Sequence, residues 1–331
     1  MTAPVLEVCD LEISFQSPPS RAVDVIRGVS LSVEPGQRLG LAGESGCGKT
    51  TTLLAMMGLL PSNATVRGEV LLDGTDILAG GEESMRPHRW ADIAMVFQGA
   101  MNAFNPVKTV GSQIIEAMKV HGVLPDRKAR RHRAMELLEL VGIPGDRVDR
   151  YPHEFSGGMR QRAALAMALA DGPRVLLADE PTTALDVMVQ AQILDLLERL
   201  TGELGLALVL VTHDLPLVIE TCDTVAVMYA GRVVERGPTA TLHQSAAHPY
   251  TRRLFDAVPD LSGDSRVEAI PGLPPRLDQH LPGCSFASRC DIAQGICREQ
   301  APPLLRLGAG HVAACHFAAQ PAGRSPTEGD R

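Results

Sequence analysis

The sequence predicts an α/β fold built around a parallel sheet that is buried on both faces. Two apolar runs of strand length, RVLLAD and LALVLV, flank a helix-like segment from Asp186 to Leu204. Continuous apolar strands that alternate with helices are typical of such sheets. A glycine-rich loop of the form GxxxxGK[ST] also follows an apolar run, RLGLA, and opens a helix. These observations place a ligand site at the carboxyl ends of the predicted strands.

The elements before residue 98 follow from local patterns. Short alternating runs separated by Gly, Pro and Ser predict strands with tight turns over 5–42. A helix is predicted from Lys49 to Leu60, because Pro61 cannot continue it. The segments EVLLDG and IAMVFQ are predicted to be further strands.

The rest of the chain divides by texture. Residues of about 98–160 have a helical pattern and are predicted to be an insertion in the α/β core, with a further helix over about 160–169. After Val234, Pro and Gly become frequent. We therefore expect one large unit over 1–240, a small cysteine-containing C-terminal domain over 241–318, and a disordered tail over 319–331.

Composition restricts the classes of function. The chain has 331 residues, 31 Lys plus Arg against 39 Asp plus Glu, and a net charge of −8, which argues against bulk nucleic-acid binding. Aromatic residues are only 3%, so a stacking platform for bases is not expected. The N-terminus lacks the features of a signal peptide, and LGLALVLV spans eight residues where a bilayer needs roughly 20. We expect a cytoplasmic protein that can dock onto a membrane partner.

The segment from Gly43 to Thr50, GESGCGKT, is predicted to bind nucleotide phosphates. Glycines let backbone N–H groups point inward, and the helix N-terminus that follows favours negative charge. Lys49 would reach the β- and γ-phosphates, and Thr50 would ligate Mg²⁺. The predicted nucleotide-binding residues of this loop are Gly43, Glu44, Ser45, Gly46, Cys47, Gly48, Lys49, Thr50 and Thr51. The structural alternative is a glycine-rich turn before a helix.

Polar side chains follow three of the predicted strands. Asp179 and Glu180 end one apolar strand, His213 ends the next, and Gln98 ends IAMVF. Asp179 would hold Mg²⁺, and Glu180 would act as the general base on the attacking water. Gln98 is a candidate for the metal or the water, and His213 for the γ-phosphate. Taken alone, each of these side chains could be a solvated residue at a strand end.

A second glycine motif, FSGGMRQR over Phe155–Arg162, resembles the signature LSGGQ of ATP-binding cassettes. Together with the phosphate loop it makes residues 5–240 resemble one ABC transporter ATPase. The resemblance implies a RecA-like P-loop NTPase core with an antiparallel β subdomain and an inserted α-helical subdomain. In the family, the signature serves the γ-phosphate of the partner subunit's ATP, and here it comprises Ser156, Gly157, Gly158 and Met159. Met159 replaces the usual Gln.

Four residues take roles from the same resemblance. Phe15 matches the aromatic residue that stacks on adenine, and Asp186 lies in the D-loop. Gln98 matches the Q-loop and His213 the switch histidine. All of these residues are expected to serve ATP binding or hydrolysis.

The subfamily is suggested by other segments. PTTALDVMVQAQIL, HPYT at His248–Thr251 and the tail GCSFASRCDIAQGICREQAPPL resemble the oligopeptide/dipeptide importer ATPases. The resemblance implies a second homologous ATPase subunit, two integral membrane permeases and an extracytoplasmic solute-binding protein, with the chain peripheral at the cytoplasmic face of the membrane. Nickel and glutathione importers belong to the same subfamily. A soluble ABC ATPase that is not coupled to transport is the alternative of another class.

Four of the seven cysteines are crowded near the C-terminus, as Cys284-x5-Cys290-x6-Cys297-x17-Cys315. In an acidic chain without a secretion signal they indicate metal rather than disulfides. Structural zinc prefers tighter C-x₂₋₄-C spacing, whereas these spacings are compatible with a Cys₄ iron–sulfur cluster. Similar tails in the importer subfamily are associated with a [4Fe–4S] cluster, so the resemblance implies that group, with Zn²⁺ and unligated thiols as alternatives.

Overall fold

The computed structural model describes residues 3–17, 21–100, 103–183, 185–257, 270–279 and 281–318. The predicted disordered tail, 319–331, lies outside them. Within these ranges no helix combines the length and the apolarity that a bilayer crossing needs.

The strands are β1 (Leu6–Ser17), β2 (Arg21–Val33), β3 (Arg38–Ala42), β4 (Ala64–Leu72), β5 (Thr75–Asp76), β6 (Ile93–Val96), β7 (Val175–Asp179), β8 (Ala207–Val211), β9 (Thr224–Tyr229), β10 (Arg232–Pro238), β11 (Leu305–Gly308) and β12 (His311–Ala313). The helices are α1 (Lys49–Met56), α2 (Glu82–Met85), α3 (Val110–Val120), α4 (Arg127–Leu140), α5 (Gly157–Ala168), α6 (Val187–Leu204), α7 (Leu215–Thr221), α8 (Thr239–Ser245), α9 (Pro249–Asp256) and α10 (Gly295–Glu299). Short 3₁₀ turns lie at Gly145–Asp149 and Pro152–Glu154.

The central sheet has the order β11-β12-β10-β9-β3-β8-β7-β6, and its neighbours from β9 to β6 are parallel. Successive residues of β7 enter two different apolar clusters, with Leu176 in one and Leu177 in the other. Leu208 and Val209 of β8 divide in the same way. Both faces of this sheet are therefore buried, and the predicted α/β core is confirmed.

A smaller antiparallel sheet, ordered β2-β1-β4-β5, covers one face of the central sheet. Its buried residues, among them Leu11, Ile13 and Val29, share one apolar cluster with Leu39 and Leu41 of β3. This packing holds β1 and β2 close to the loop that follows β3.

The helical segment lies between β6 and β7, as the pattern predicts. Helices α3, α4 and α5 contact one another and bury Ile114, Leu137 and Leu165 completely. A Cβ on Gly111 would lie 2.2 Å from Val148 Cγ2, so the first turn of α3 needs a glycine to approach that close.

Helix α1 ends earlier than predicted, at Met56 rather than Leu60. Gly58 adopts a left-handed φ of 60°. Its N–H donates to Ala55 O at 2.9 Å, and Leu59 N–H donates to Leu54 O at 2.8 Å. This pair of bonds is a Schellman motif, which a glycine past the helix end favours. The proline was the wrong stop signal, because the glycine acts first.

Two strands near the C-terminus are part of the central sheet. Strands β11 and β12 extend the central sheet beyond β10. Glu235 of β10 is fully buried and accepts hydrogen bonds from His311 Nε2 at 2.8 Å, Ala247 N at 2.7 Å and His248 N at 3.0 Å. These two strands are therefore part of the central sheet, and the division of the chain into two domains stays a prediction.

Candidate active site

The phosphate loop connects β3 to α1 and requires its glycines. Gly43, Gly46 and Gly48 have φ values of 148°, 77° and 110°. A Cβ on Gly43 would lie 2.2 Å from the carbonyl oxygen of Met228, and one on Gly48 would lie 2.4 Å from Ile26 Cδ1. The loop is therefore fixed by neighbouring strands from both sheets. Ser45 remains exposed and Thr51 is half-buried.

Lys49 begins α1 and is 7% exposed. Its Nζ donates to the carbonyl oxygens of Gly43 at 2.7 Å and Glu44 at 3.1 Å, so the ammonium lies over the loop. Cys47 Sγ is 3.8 Å from the same nitrogen, and burial raises the pKa of this thiol. A positive charge held over a glycine-rich loop that opens a helix is suited to polyphosphate.

The carboxyl end of β7 brings oxygen ligands to this loop. Thr50 Oγ1 donates to Asp179 Oδ1 at 3.2 Å, and Asp179 is 2% exposed. Burial raises the pKa of Asp179, while Thr50 and Lys49 act in the opposite direction. Hydroxyl and carboxylate oxygens are the ligands that Mg²⁺ prefers, so Thr50 and Asp179 fit the predicted metal role.

Glu180 stands at the centre of a network of side chains from three strand ends. Its Oε2 accepts from Gln98 Nε2 and from Thr183 Oγ1, both at 2.8 Å, and its Oε1 lies 3.3 Å from His213 Nδ1. Gln98 follows β6, Glu180 follows β7 and His213 follows β8, and these strands are neighbours. The structure therefore brings together the three predicted catalytic side chains.

The backbone at Glu180 is strained. Its φ is 46°, and its N–H donates to the carbonyl oxygen of Val211 at 2.8 Å. Non-glycine residues in the left-handed region cost free energy and concentrate at functional sites. The turn aims the carboxylate of Glu180 out of the strand and toward Gln98 and His213.

The signature residues form a second group. Ser156 caps α5, and its Oγ accepts from Met159 N–H at 3.2 Å. Asp186 caps α6 and accepts from Val189 N–H at 3.0 Å. A Cβ on Gly158 would lie 2.6 Å from Val189 Cγ1, so the first turns of α5 and α6 are in close contact. The predicted signature and D-loop are therefore neighbours within one chain.

Phe15 lies in β1, in register with Val23 and Ala64, and packs partly buried against the apolar cluster of the small sheet. Its stacking on adenine stays a prediction.

Two contacts of this site were missed from the sequence. Thr183 lies three residues after Glu180, in the run PTT, where a hydroxyl could have been suspected. Arg289 contacts Glu44 from 245 residues away, and no sequence signal points to it.

The four C-terminal cysteines line one small cavity together with Phe286, Ile292 and Phe317. Burial raises the pKa of Cys284 to about 11 and also raises the pKa of Cys290 and Cys315. All seven cysteines are free. Among the described residues, no group of three or more His, Cys, Asp or Glu is arranged to hold a metal ion.

Fold and site together define a P-loop ATPase of the ATP-binding cassette class. The ABC transporter family model matches residues 26–183, and the model of the oligopeptide/dipeptide transporter C-terminal region matches residues 234–297. The chain is 49% identical over 317 residues to a probable peptide ABC transporter ATP-binding protein, y4tR, of Sinorhizobium fredii. The aligned residues are 94% of this chain and 94% of that protein. The chain therefore belongs to the family of ABC transporter ATP-binding proteins, whose members are ATPases.

Other relatives agree with this membership. The oligopeptide transport ATP-binding protein OppD of Mycobacterium tuberculosis is 45% identical over 330 residues, which are 98% of this chain and 54% of that protein. Among solved structures, the dimeric bacterial ABC transporter cassette MJ0796 matches with a TM-score of 0.63 and 27% identity, over 71% of this chain and 98% of that one.

Proposed function

We propose that this chain is the ATP-hydrolysing subunit of an ABC importer for di- or oligopeptides. One observation carries the proposal. The same chain contains the Glu180 network beside the phosphate loop and a C-terminal region that matches the oligopeptide/dipeptide transporter model. The names of the relatives support the same cargo. Nickel chelates and glutathione are alternative cargoes, and a soluble ABC ATPase is the alternative of another class.

In this function the chain works with partners. We infer a second homologous ATPase subunit, two integral membrane permeases and an extracytoplasmic solute-binding protein. The chain itself would lie at the cytoplasmic face of the membrane. Residues 1–240 would act as the cassette, and residues 241–318 as a small C-terminal domain docked on it.

Each residue of the site would have its own role in ATP hydrolysis. Lys49 and the backbone amides of the phosphate loop bind the β- and γ-phosphates, and Phe15 stacks on adenine. Thr50, Asp179 and Gln98 would hold Mg²⁺, which supplies positive charge at the phosphates when bound. Glu180 accepts a proton from the attacking water, and His213 contacts the γ-phosphate.

The signature would act on the ATP of a partner cassette. Ser156, Gly157 and Gly158 open helix α5, and a helix N-terminus favours phosphate. Two ATP molecules would then lie between two cassettes, each between the phosphate loop of one and the signature of the other. The dimer named for the relative MJ0796 supports this arrangement. Asp186 would contribute at the same interface, next to the signature.

The cargo is tested with the complete importer in liposomes. We expect a solute-binding protein loaded with a di- or oligopeptide to stimulate ATP hydrolysis several-fold, because cargo closes the cassettes through the permeases. The same assay with glutathione and with nickel chelates is the control. If only glutathione or only a nickel chelate stimulates hydrolysis, that solute is the cargo instead of a peptide. If purification recovers ribosomes in place of permeases, the soluble ABC ATPase is favoured.

We propose that Cys284, Cys290, Cys297 and Cys315 hold a [4Fe–4S] cluster. Four free thiols around one cavity are the donor set of such a cluster, whose ligands bind four separate irons rather than one ion. When bound, the cluster would tie the C-terminal region together, and we assign it a structural or sensing role.

Purification without oxygen tests this proposal. We expect the anaerobic chain to absorb broadly near the blue end of the visible spectrum, and Cys290→Ser to lose most of that absorption because one of four ligands is gone. Cys222→Ser is the matched control, since Cys222 is buried in the core of the cassette. If the purified chain is colourless and contains zinc, the four cysteines hold Zn²⁺ instead of a cluster. If it contains no metal, the thiols are unligated.

A further inference from the structure

Glu44, the second residue of the phosphate loop, forms an ion pair with Arg289. Arg289 Nη1 donates to Glu44 Oε2 at 2.8 Å, and Nη2 donates to Oε1 at 2.9 Å. This two-bond geometry is the strongest arrangement of a guanidinium and a carboxylate. Arg289 lies in the cysteine segment, which we define as residues 281–318. The pair therefore joins the phosphate loop to the cysteine segment directly.

The other polar groups of Glu44 are also engaged. Its backbone N–H donates to the hydroxyl of Tyr250 at 2.9 Å, and its carbonyl oxygen accepts from Lys49 Nζ at 3.1 Å. Tyr250 belongs to α9 and is fully buried. Tyr250 and Arg289 therefore both hold Glu44, at the start of the phosphate loop, and Lys49 contacts Glu44 as well.

The surroundings make this pair more than a surface contact. The side chain of Arg289 is 5% exposed and that of Glu44 is 24% exposed. Arg289 also donates to the Tyr229 hydroxyl at 3.1 Å and to the Pro271 carbonyl oxygen at 2.9 Å. Water screens such a pair weakly, and removing one partner leaves a charge with poor solvation.

The same residues border the cysteine cavity. Phe286 lines that cavity, and its ring lies 5.3 Å from the rings of both Tyr229 and Tyr250, measured between centroids. Phe286 and Arg289 occupy the stretch between Cys284 and Cys290. A movement of this stretch would therefore reach the phosphate loop through Arg289 and through Tyr250.

We propose that Arg289 is a positioning residue for the phosphate loop and that it couples nucleotide affinity to the state of the four-cysteine cavity. Arg289 holds the Glu44 carboxylate, so the loop keeps the form that binds phosphate. Coupling between two sites is reciprocal in free energy. Nucleotide at the loop therefore changes the accessibility of the thiols, and occupation of the thiols changes nucleotide affinity. This coupling does not depend on the cargo or on which group the thiols hold.

The first test measures the Kd of a fluorescent ATP analogue with Mg²⁺ on the full chain. Arg289→Met and Glu44→Gln are each expected to weaken binding about tenfold. The double variant should have the same Kd as the single variant that binds more weakly, because both substitutions remove the same contact. In the ATPase assay KM should rise while kcat changes less than about twofold, as for a loss of ground-state binding. Arg289→Lys should recover only part of the affinity, since it keeps the charge without the fork.

Arg253→Met is the matched control. It breaks the Arg253–Asp291 pair, at 3.4 Å, which joins α9 to the cysteine segment without touching the phosphate loop. Its Kd should equal that of the parent chain. A lower thermal stability of Arg289→Met with an unchanged Kd would overturn the proposal, because Arg289 would then only hold the C-terminal fold. If Arg289→Met does not fold, Glu44→Gln decides, and an unchanged Kd there also overturns it.

The second test measures reciprocity without activity. Alkylation of Cys284, Cys290, Cys297 and Cys315 is followed by peptide mapping, which separates them from Cys47 in the phosphate loop. We expect saturating nucleotide to change their rate of alkylation several-fold in the parent chain and clearly less in Arg289→Met, where only the contact through Tyr250 remains. Equal rates with and without nucleotide in the parent chain would contradict the coupling.

Discussion

Glu180→Gln is expected to reduce ATP turnover by at least about 100-fold while leaving ATP binding intact, because a general base contributes about 10²–10⁴-fold. The substitution keeps the length of the side chain and removes the proton acceptor. The present contacts of the carboxylate, to Gln98 Nε2 and Thr183 Oγ1 at 2.8 Å, hold it in one orientation. The strained backbone at Glu180 directs it toward the same place. The loss should therefore fall on kcat.

Single-turnover hydrolysis and nucleotide binding in the assembled complex measure this effect. Glu198→Gln is the matched control, because it makes the same chemical change in a surface pair with Arg38 whose Glu198 side chain is 59% exposed. Exposed pairs contribute little, so this control should hydrolyse ATP at the parent rate. Undiminished turnover by Glu180→Gln would remove Glu180 from the role of base.

The part of the site that the sequence predicts is the part that depends on local pattern. The phosphate loop is contiguous, and its glycines, Lys49 and Thr50 follow from one motif. The meeting of Gln98, Glu180 and His213 follows from a general property, since neighbouring parallel strands present their carboxyl ends at one edge. These predictions need the type and order of the strands but no tertiary distances.

The part that escaped prediction depends on distant contacts. Arg289 and Glu44 are 245 residues apart. The motif marks Glu44 as part of the phosphate loop, but Arg289 looks like an ordinary surface charge in the sequence. The docking of β12 on β10 depends on the buried Glu235, which a pattern cannot tell from an exposed acid. The early end of α1 shows a local limit as well, because two stop signals, Gly58 and Pro61, compete and only backbone geometry decides between them.

Gly43→Ala is expected to lower ATP affinity and kcat/KM by about 100-fold, since a shift of about 1 Å in a binding group can cost that much. The added Cβ would lie 2.2 Å from the carbonyl oxygen of Met228 and 3.0 Å from Cys47 Sγ. Met228 is in β9, at the centre of the sheet, and its backbone cannot yield. The loop must move instead, and Lys49, which bonds to Gly43 O, moves with it.

Gly172→Ala separates the steric clash from backbone strain. Gly172 also has a positive φ, 72°, but no atom lies within 4 Å of an added Cβ, and it precedes β7 at the end of that strand away from the site. This variant should lose some stability and keep the parent Kd. Nucleotide titration with thermal unfolding of both variants measures the difference. Parent-like affinity in Gly43→Ala would mean that the loop tolerates displacement, and the same result would weaken the role assigned to Arg289, because that role requires affinity to depend on the position of the first turn.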